Sequence, residues 1–279
     1  MNPRELIRRT SVLFRNAGIP DPENDAALLL SYLTGRQALE LRLDTDTMLD
    51  DAALSAYQAL TEKRLNRIPL QYLIGEVSFC GRLFKVDPRV LIPRPETELL
   101  CEWALDLLRD ISGPRVLDLC CGSGCIGLSV KSERPDAQVT LSDISEDALN
   151  VSAVNAARLS LDVSFRWSDL LDAFADGPKF DLIVSNPPYI PSAVCNHLQP
   201  EVMHEPRLAL DGGPDGLDLY RRIIRSSGSV LAPGGKLLME TGINETAELS
   251  GLLSENGFAS VEIRRDYAGI DRMIMAALA

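Results

Sequence analysis

The chain has 279 residues, 46% hydrophobic and 24% charged, enough for one large or two ordinary domains with substantial cores. Its 40 acidic against 28 basic residues give a net charge of −12, which argues against a broad basic face that grips bare nucleic acid. The polar, Arg-rich start lacks the apolar stretch of a secretory leader, and no run approaches the ~18 apolar residues of a membrane span. The six cysteines show no paired CxxC spacing, so a reduced, cytoplasmic protein without a metal site is expected.

Residues 1–67 read as a small helical bundle. Leu6, Ile7, Leu13 and Phe14 share one helical face, and Asp21-Pro22 is an N-cap followed by a first-turn proline whose helix stops at Gly35. A further helix runs from about Asp51 to Arg67. Nothing in this region carries chemistry, and a structural cap and a docking surface for a macromolecular substrate are both open readings. Residues 68–95 change texture. Short alternating runs flank Cys80-Gly81-Arg82 as a β-hairpin linker. Leu91-Ile92-Pro93-Arg94-Pro95-Glu96-Thr97-Glu98 then forms a stiff extended segment leading into a helix to about Arg109, well placed as a lid over a ligand.

From residue 96 to 279 strands and helices alternate. Strands are expected near Arg115–Leu119, Gln138–Ser142, Val163–Arg166, Phe180–Ser185, Lys236–Glu240, Val261–Arg265 and Arg272–Ala277. Helices are expected over Gly124–Glu133, Ser145–Leu159, Gly216–Leu231 and Glu245–Glu255. The pattern predicts an α/β fold with a seven-stranded, mostly parallel sheet, its last two strands antiparallel neighbours because no helix separates them. That ending fits a Rossmann-like methyltransferase sheet better than a plain dinucleotide fold.

The first strand of this domain ends in Asp118, then Cys120-Cys121-Gly122-Ser123-Gly124 opens a helix. Glycines at such a turn let a ligand approach backbone N–H groups. Asp143, at the end of the next strand, can accept from two ribose hydroxyls. An adenosine-bearing cofactor follows, either a nicotinamide dinucleotide or S-adenosylmethionine. Three features favour the second: Asp118 can face a ligand ammonium directly or through water, no basic group for a pyrophosphate stands near the turn, and the next motif handles amines.

That motif is Asn186-Pro187-Pro188-Tyr189, at the end of the strand Phe180–Ser185. Two prolines end the ladder and fix the direction of the chain. The Asn186 amide oxygen and the Pro187 carbonyl are adjacent acceptors that can take both hydrogens of a planar –NH2, while Tyr189 can lie over its face. Gripped so, a delocalised nitrogen turns its lone pair toward an electrophile. His197 and His204 stand in a long polar loop and read as surface residues; that loop, Pro191–Gly216, is long enough to suggest a function of its own. Arg221, Arg222 and Arg225 read as solvated positions of a helix.

Asp118–Gly124, Asp143 and Asn186–Tyr189 together resemble the motifs of class I S-adenosylmethionine-dependent amino-methyltransferases. Within that group, Leu91–Glu98, Pro69–Gly75 and Glu205–Leu217 resemble the peptide-chain release factor glutamine methyltransferase family. The resemblance implies methyl transfer from S-adenosylmethionine, leaving S-adenosylhomocysteine, to the glutamine amide of the Gly-Gly-Gln loop of peptide chain release factors. It assigns Asn186, Pro187, Pro188 and Tyr189 to the substrate amide, with Asn186, Pro187 and Tyr189 catalytic. Asp118, Cys120, Cys121, Gly122, Ser123, Gly124, Asp143, Leu170 and Asn186 go to the cofactor. Three positions depart from the family pattern: Cys120 replaces a usual Gly, Leu170 and His204 each replace an aromatic. A monomer that contacts no nucleic acid or membrane is expected. Methylation of a nucleobase or of a ribosomal-protein glutamine is the alternative; a nicotinamide oxidoreductase and a non-catalytic scaffold fit the motifs less well.

Overall fold

A computed structural model describes residues 1–278. The chain divides into two compact units, one of Met1–Glu76 with Gln199–His204, the other of Val77–Leu198 with the residues from Glu205 onward.

The first unit is helical: α1 (Pro3–Asn16), α2 (Pro22–Thr34), α3 (Ala38–Leu43), α4 (Asp51–Leu65) and α5 (Leu70–Ile74). Asn2 and Asp50 cap α1 and α4 with their side-chain oxygens, and Gly35 ends α2 in the left-handed region. Asp21 occupies the N-cap position of α2 but its side chain makes no capping bond there. The small side chains of Ala26 and Ala27 let Leu29, Leu30, Phe14 and Tyr57 close into one core. Arg64 is buried in it and is matched by two carboxylates, Asp25 at 2.7 Å and Glu201 at 2.9 Å. Glu201 also pairs with Arg67 at 2.7 Å, which is how the segment Gln199–His204 joins this unit.

A two-stranded hairpin, β1 (Glu76–Phe79) and β2 (Arg82–Lys85), precedes α6 (Pro95–Leu108). Then come β3 (Arg115–Leu119), α7 (Cys125–Glu133), β4 (Gln138–Asp143), α8 (Glu146–Leu159), β5 (Ser164–Trp167), β6 (Phe180–Ser185), α9 (Asp218–Ser227), β7 (Leu231–Glu240), α10 (Thr246–Glu255), β8 (Phe258–Arg265) and β9 (Asp271–Leu278). The sheet has seven strands in the order β5-β4-β3-β6-β7-β9-β8; the last two are antiparallel neighbours, as expected, and β9 is antiparallel to β7 as well. Its central strands are apolar on both faces and alternate strictly. Val116, Leu182, Val184 and Leu238 pack into a core with α6 and α7, while Leu117, Ile183, Leu237 and Met239 pack with α9 and α10. The strand order reverses between β3 and β6, so their carboxyl ends diverge around a crevice.

Two expected boundaries differ. The helix placed over Gly216–Leu231 is only Asp218–Ser227, and Leu231 already pairs with Phe180 as the first residue of β7. Pro233-Gly234-Gly235, which fell between the expected helix and the expected strand Lys236–Glu240, is a bulge inside β7. Register shifts between Phe180 and Leu182, and a Cβ on Gly235 would stand 2.8 Å from the Ala232 carbonyl.

Candidate active site

The turn after β3 is built from positive-φ residues: Cys120 (φ 59), Gly122 (φ 54) and Gly124 (φ 78). Each glycine has its own reason. A Cβ on Gly127 would lie 2.3 Å from Leu141 Cδ2, so this glycine lets α7 press against the sheet. A Cβ on Gly124 would be crowded by Ser152, Leu128 and Leu141. A Cβ on Gly122 would meet nothing within 4 Å; only this glycine faces open space. Cys120 takes the same left-handed backbone with a side chain attached, a conformation that costs an L-residue about 1–2 kcal/mol. The usual family glycine at that position has this physical cause.

Asp143 closes β4 with both oxygens engaged. Oδ2 accepts from Gly122 N–H at 2.9 Å and Oδ1 from Ser145 N–H at 2.9 Å. Each oxygen keeps a further lone pair for a ligand hydroxyl. Burial pushes this carboxyl above its ordinary range, against the pull of the backbone N–H groups. Ser168 N–H donates to the Asp143 carbonyl at 3.1 Å, bringing Asp169 and Leu170 (φ 50) alongside.

The corner after β6 is held from three directions. Ser185 Oγ donates to the Leu119 carbonyl at 2.7 Å, tying the two strand ends together. Thr97, in the first turn of α6, accepts from Asn186 Nδ2 at 3.4 Å. From behind, the long loop grips the backbone: Ile190 N–H donates to Leu210 and Gly212 N–H to Ile190, both at 2.9 Å. A Cβ on Gly212 would stand 2.8 Å from Tyr189 Cα, and one on Gly216 2.4 Å from the Tyr189 carbonyl. The glycines of Asp211–Gly216 therefore allow the loop to lie directly on the proline corner.

These elements surround one cavity of about 270 Å³, near the lower end of the ~300–1,000 Å³ usual for small-molecule sites. Of the residues expected at the cofactor and substrate, Cys120, Gly122, Asp143, Leu170, Asn186 and Pro188 line it. Val90 and Leu91 add a wall just before Pro93, and Pro206, Leu208 and Ala209 add one from the long loop.

The other expected site residues do not line the cavity. Asp118 is fully buried behind the turn; Oδ2 accepts from Gly127 N–H at 2.7 Å, while Oδ1 has no partner. Burial pushes its carboxyl up to about 7. Cys121 is turned inward with its N–H on the Ser142 carbonyl, and the Ser123 carbonyl is taken by Asn155 Nδ2. Gly124 is packed as described, and Pro187 is buried. Tyr189 sends its hydroxyl to Glu240 Oε1 at 3.4 Å, away from the cavity lining, and burial pushes that phenol up. Arg222, read as a solvated helix position, is exposed on α9 as expected and also lines the cavity, pairing with Asp169 at 2.9 Å. Arg221 pairs on the surface with Asp215, and both histidines are exposed.

Two neighbours of the site were not singled out from sequence. Asn155 joins the Lys85 backbone to Ser123, fixing the turn to β2. Glu240, 3% exposed at the end of β7, receives Thr97 and Tyr189. A carboxylate that ends the apolar run Leu237-Leu238-Met239 at a strand's carboxyl edge was the available signal. Among the described residues no group of three or more His, Cys, Asp or Glu is arranged to hold a metal, and no helix is long and apolar enough to cross a membrane.

Residues 97–264 match the methyltransferase small domain and residues 5–75 the PrmC N-terminal domain. The chain is 42% identical to the release factor glutamine methyltransferase of Deinococcus radiodurans, over 99% of this chain and 98% of that one. It is also 42% identical to the enzyme of the same name from Chlorobaculum tepidum, over 96% and 94%. Among solved structures, a 16S rRNA N2 G1207 methyltransferase of T. thermophilus shares the fold, with a TM-score of 0.55 at 19% identity over 73% of this chain and 50% of that one. The chain belongs to the release factor glutamine methyltransferase family.

Proposed function

We propose that this protein methylates the side-chain amide nitrogen of a glutamine in a peptide chain release factor, the residue in its Gly-Gly-Gln loop, with S-adenosylmethionine as donor. One observation carries the reading. Asn186, Gly122 and Asp143, from the ends of three parallel strands, line a single cavity at the point where strand order reverses.

The residues fit the donor. Gly122 leaves open space where a side chain would stand, and Asp143 keeps acceptor capacity for two ribose hydroxyls. Leu170 gives an adenine an aliphatic surface in place of an aromatic one. Asp118 keeps a buried, unpartnered oxygen behind the same turn, suited to a ligand ammonium through a bridging water. Once bound, S-adenosylmethionine supplies an electrophilic methyl group. The chain's own work is on the acceptor. Asn186 Oδ1 and the Pro187 carbonyl each take one amide hydrogen, which favours a pyramidal nitrogen and aims its lone pair. The prolines hold these two acceptors in place without reorganisation, so orientation supplies much of the rate. The amide nitrogen becomes acidic as it is methylated, so no strong base is needed, consistent with two exposed histidines.

The test is methyl-labelled S-adenosylmethionine offered with release factor, ribosomal proteins and ribosomal RNA together. Label on the release factor glutamine alone is expected. Label in RNA or in a ribosomal protein, with none on the release factor, overturns the assignment.

A further inference from the structure

An asparagine side chain can present either its oxygen or its –NH2 to a given neighbour, and the hydrogen-bond network decides which. The proposed reading requires Asn186 to show its oxygen to the substrate. Around Asn186 the choice is made by a residue from the Leu91–Glu98 segment. Thr97 is 2% exposed; its hydroxyl lies 2.6 Å from Glu240 Oε2 and 3.4 Å from Asn186 Nδ2. A separation of 2.6 Å is that of a hydroxyl donating to a carboxylate. Burial pushes the Glu240 carboxyl up, while the hydroxyls of Thr97 and Tyr189 and the charge of Arg272 pull it back. Tyr189 donates to the other oxygen, Oε1, so both carboxyl oxygens stand as acceptors toward the two hydroxyls. The single Thr97 proton is therefore spent on Glu240, and Thr97 meets Asn186 with lone pairs, which only an N–H can satisfy. The rest of the segment fixes where Thr97 stands. Arg94 pairs with the buried Glu205 at 2.6 Å, and Glu98 accepts from Cys80 N–H at 2.8 Å.

We infer that Thr97 and Glu240 are positioning residues for the methyl-accepting corner: Glu240 orients the Thr97 hydroxyl, and Thr97 turns the Asn186 amide so that its oxygen is left for the substrate. This rests on the amide-methylating reading above. It gives the Leu91–Glu98 segment a chemical role, beyond its place as a wall of the cavity.

The test compares Thr97→Val, which keeps shape and removes both lone pairs, with Thr97→Ser, which keeps the hydroxyl. Release factor methylation and binding of S-adenosylhomocysteine are measured for each, alone and in an Asn186→Ala background. Thr97→Val is expected to lower kcat about 10- to 100-fold. Affinity for S-adenosylhomocysteine stays unchanged, Thr97→Ser recovers most of the rate, and Thr97→Val adds no further loss to Asn186→Ala. Wild-type kcat in Thr97→Val overturns the inference. So does equal loss in Thr97→Ser, or a full multiplicative loss on top of Asn186→Ala, either of which marks a structural role. In the unmutated protein, a nuclear Overhauser contact between the Asn186 side-chain –NH2 and Thr97 is expected; its absence overturns the inference even where Thr97→Val fails to fold. A wild-type protein that methylates no release factor would instead remove the reading on which the inference stands.

Discussion

The two loops that form the site solve opposite problems. The turn after β3 must make room, and does so with glycine and left-handed backbone. Its side chains mostly look inward: Asp118 braces Gly127, Cys121 and Ser123 are buried, and Gly122, beside Cys120 in the cavity lining, is the one glycine of the turn open to free space. The corner after β6 must hold direction, and does so with two prolines and a ring of neighbours comprising Ser185, Thr97, Gly212 and Gly216. Room for a ligand comes from atoms left out; aim at a reacting nitrogen comes from dihedrals that cannot change.

If that contrast is right, damage to the corner should affect rate, and damage to the turn should affect binding or stability. The largest effect is expected at Asn186→Ala. Turnover should fall by about 10²–10³-fold, by analogy with loss of one oxyanion-hole donor, while S-adenosylhomocysteine binding survives. Wild-type turnover in that variant would remove Asn186 from the chemistry. Within the turn, Gly122→Val forces a β-branched residue to φ 54 with its side chain in the cavity. Its affinity for S-adenosylhomocysteine should drop at least ~10-fold from steric exclusion, while ~1–2 kcal/mol of backbone strain lowers its stability. Calorimetric titration reads this directly, and unchanged affinity would mean that the open side of Gly122 is not the ligand's.

Asp118 offers a pH test of the inward-facing half. Its carboxyl is raised from an ordinary 3.8 to about 7, so the native state holds this proton more tightly than the unfolded chain. The contribution is present in full below about pH 4 and is lost as pH rises through about 7. Asp118→Asn, which has no proton to lose, should therefore gain stability relative to wild type as pH rises from 5 to 8 in paired urea unfolding curves. A difference that does not change with pH would contradict the burial argument. The smallest effect is expected at Cys120→Gly. Relief of ~1–2 kcal/mol of left-handed strain, less the ~0.5–1 kcal/mol entropy cost of glycine, should raise the melting temperature by about 1–3 °C.

Much of this was legible before the structure. The seven strands, the antiparallel ending and the proline corner follow from apolar runs and from residues with few backbone options. The side-chain directions of the turn did not. Asp118 precedes the glycines in a way that suits either a ligand contact or a brace; only the fold shows that one oxygen braces Gly127 N–H while the other is left unpartnered. The Pro-Gly-Gly in β7 falls between the expected elements because the ladder that absorbs it comes from β6, far away in sequence. Arg222 and Thr97 look like ordinary helix positions for the same reason. Their partners, Asp169 and Glu240, lie 53 and 143 residues away and become neighbours only when the sheet forms.

The central claim concerns where one planar amide sits. A crystal structure with S-adenosylhomocysteine and a Gly-Gly-Gln peptide addresses it most directly. The glutamine –NH2 is predicted to donate one hydrogen to Asn186 Oδ1 and the other to the Pro187 carbonyl, with its nitrogen facing the sulfur. A glutamine amide seated elsewhere, or turned so that its oxygen meets Asn186, would contradict it.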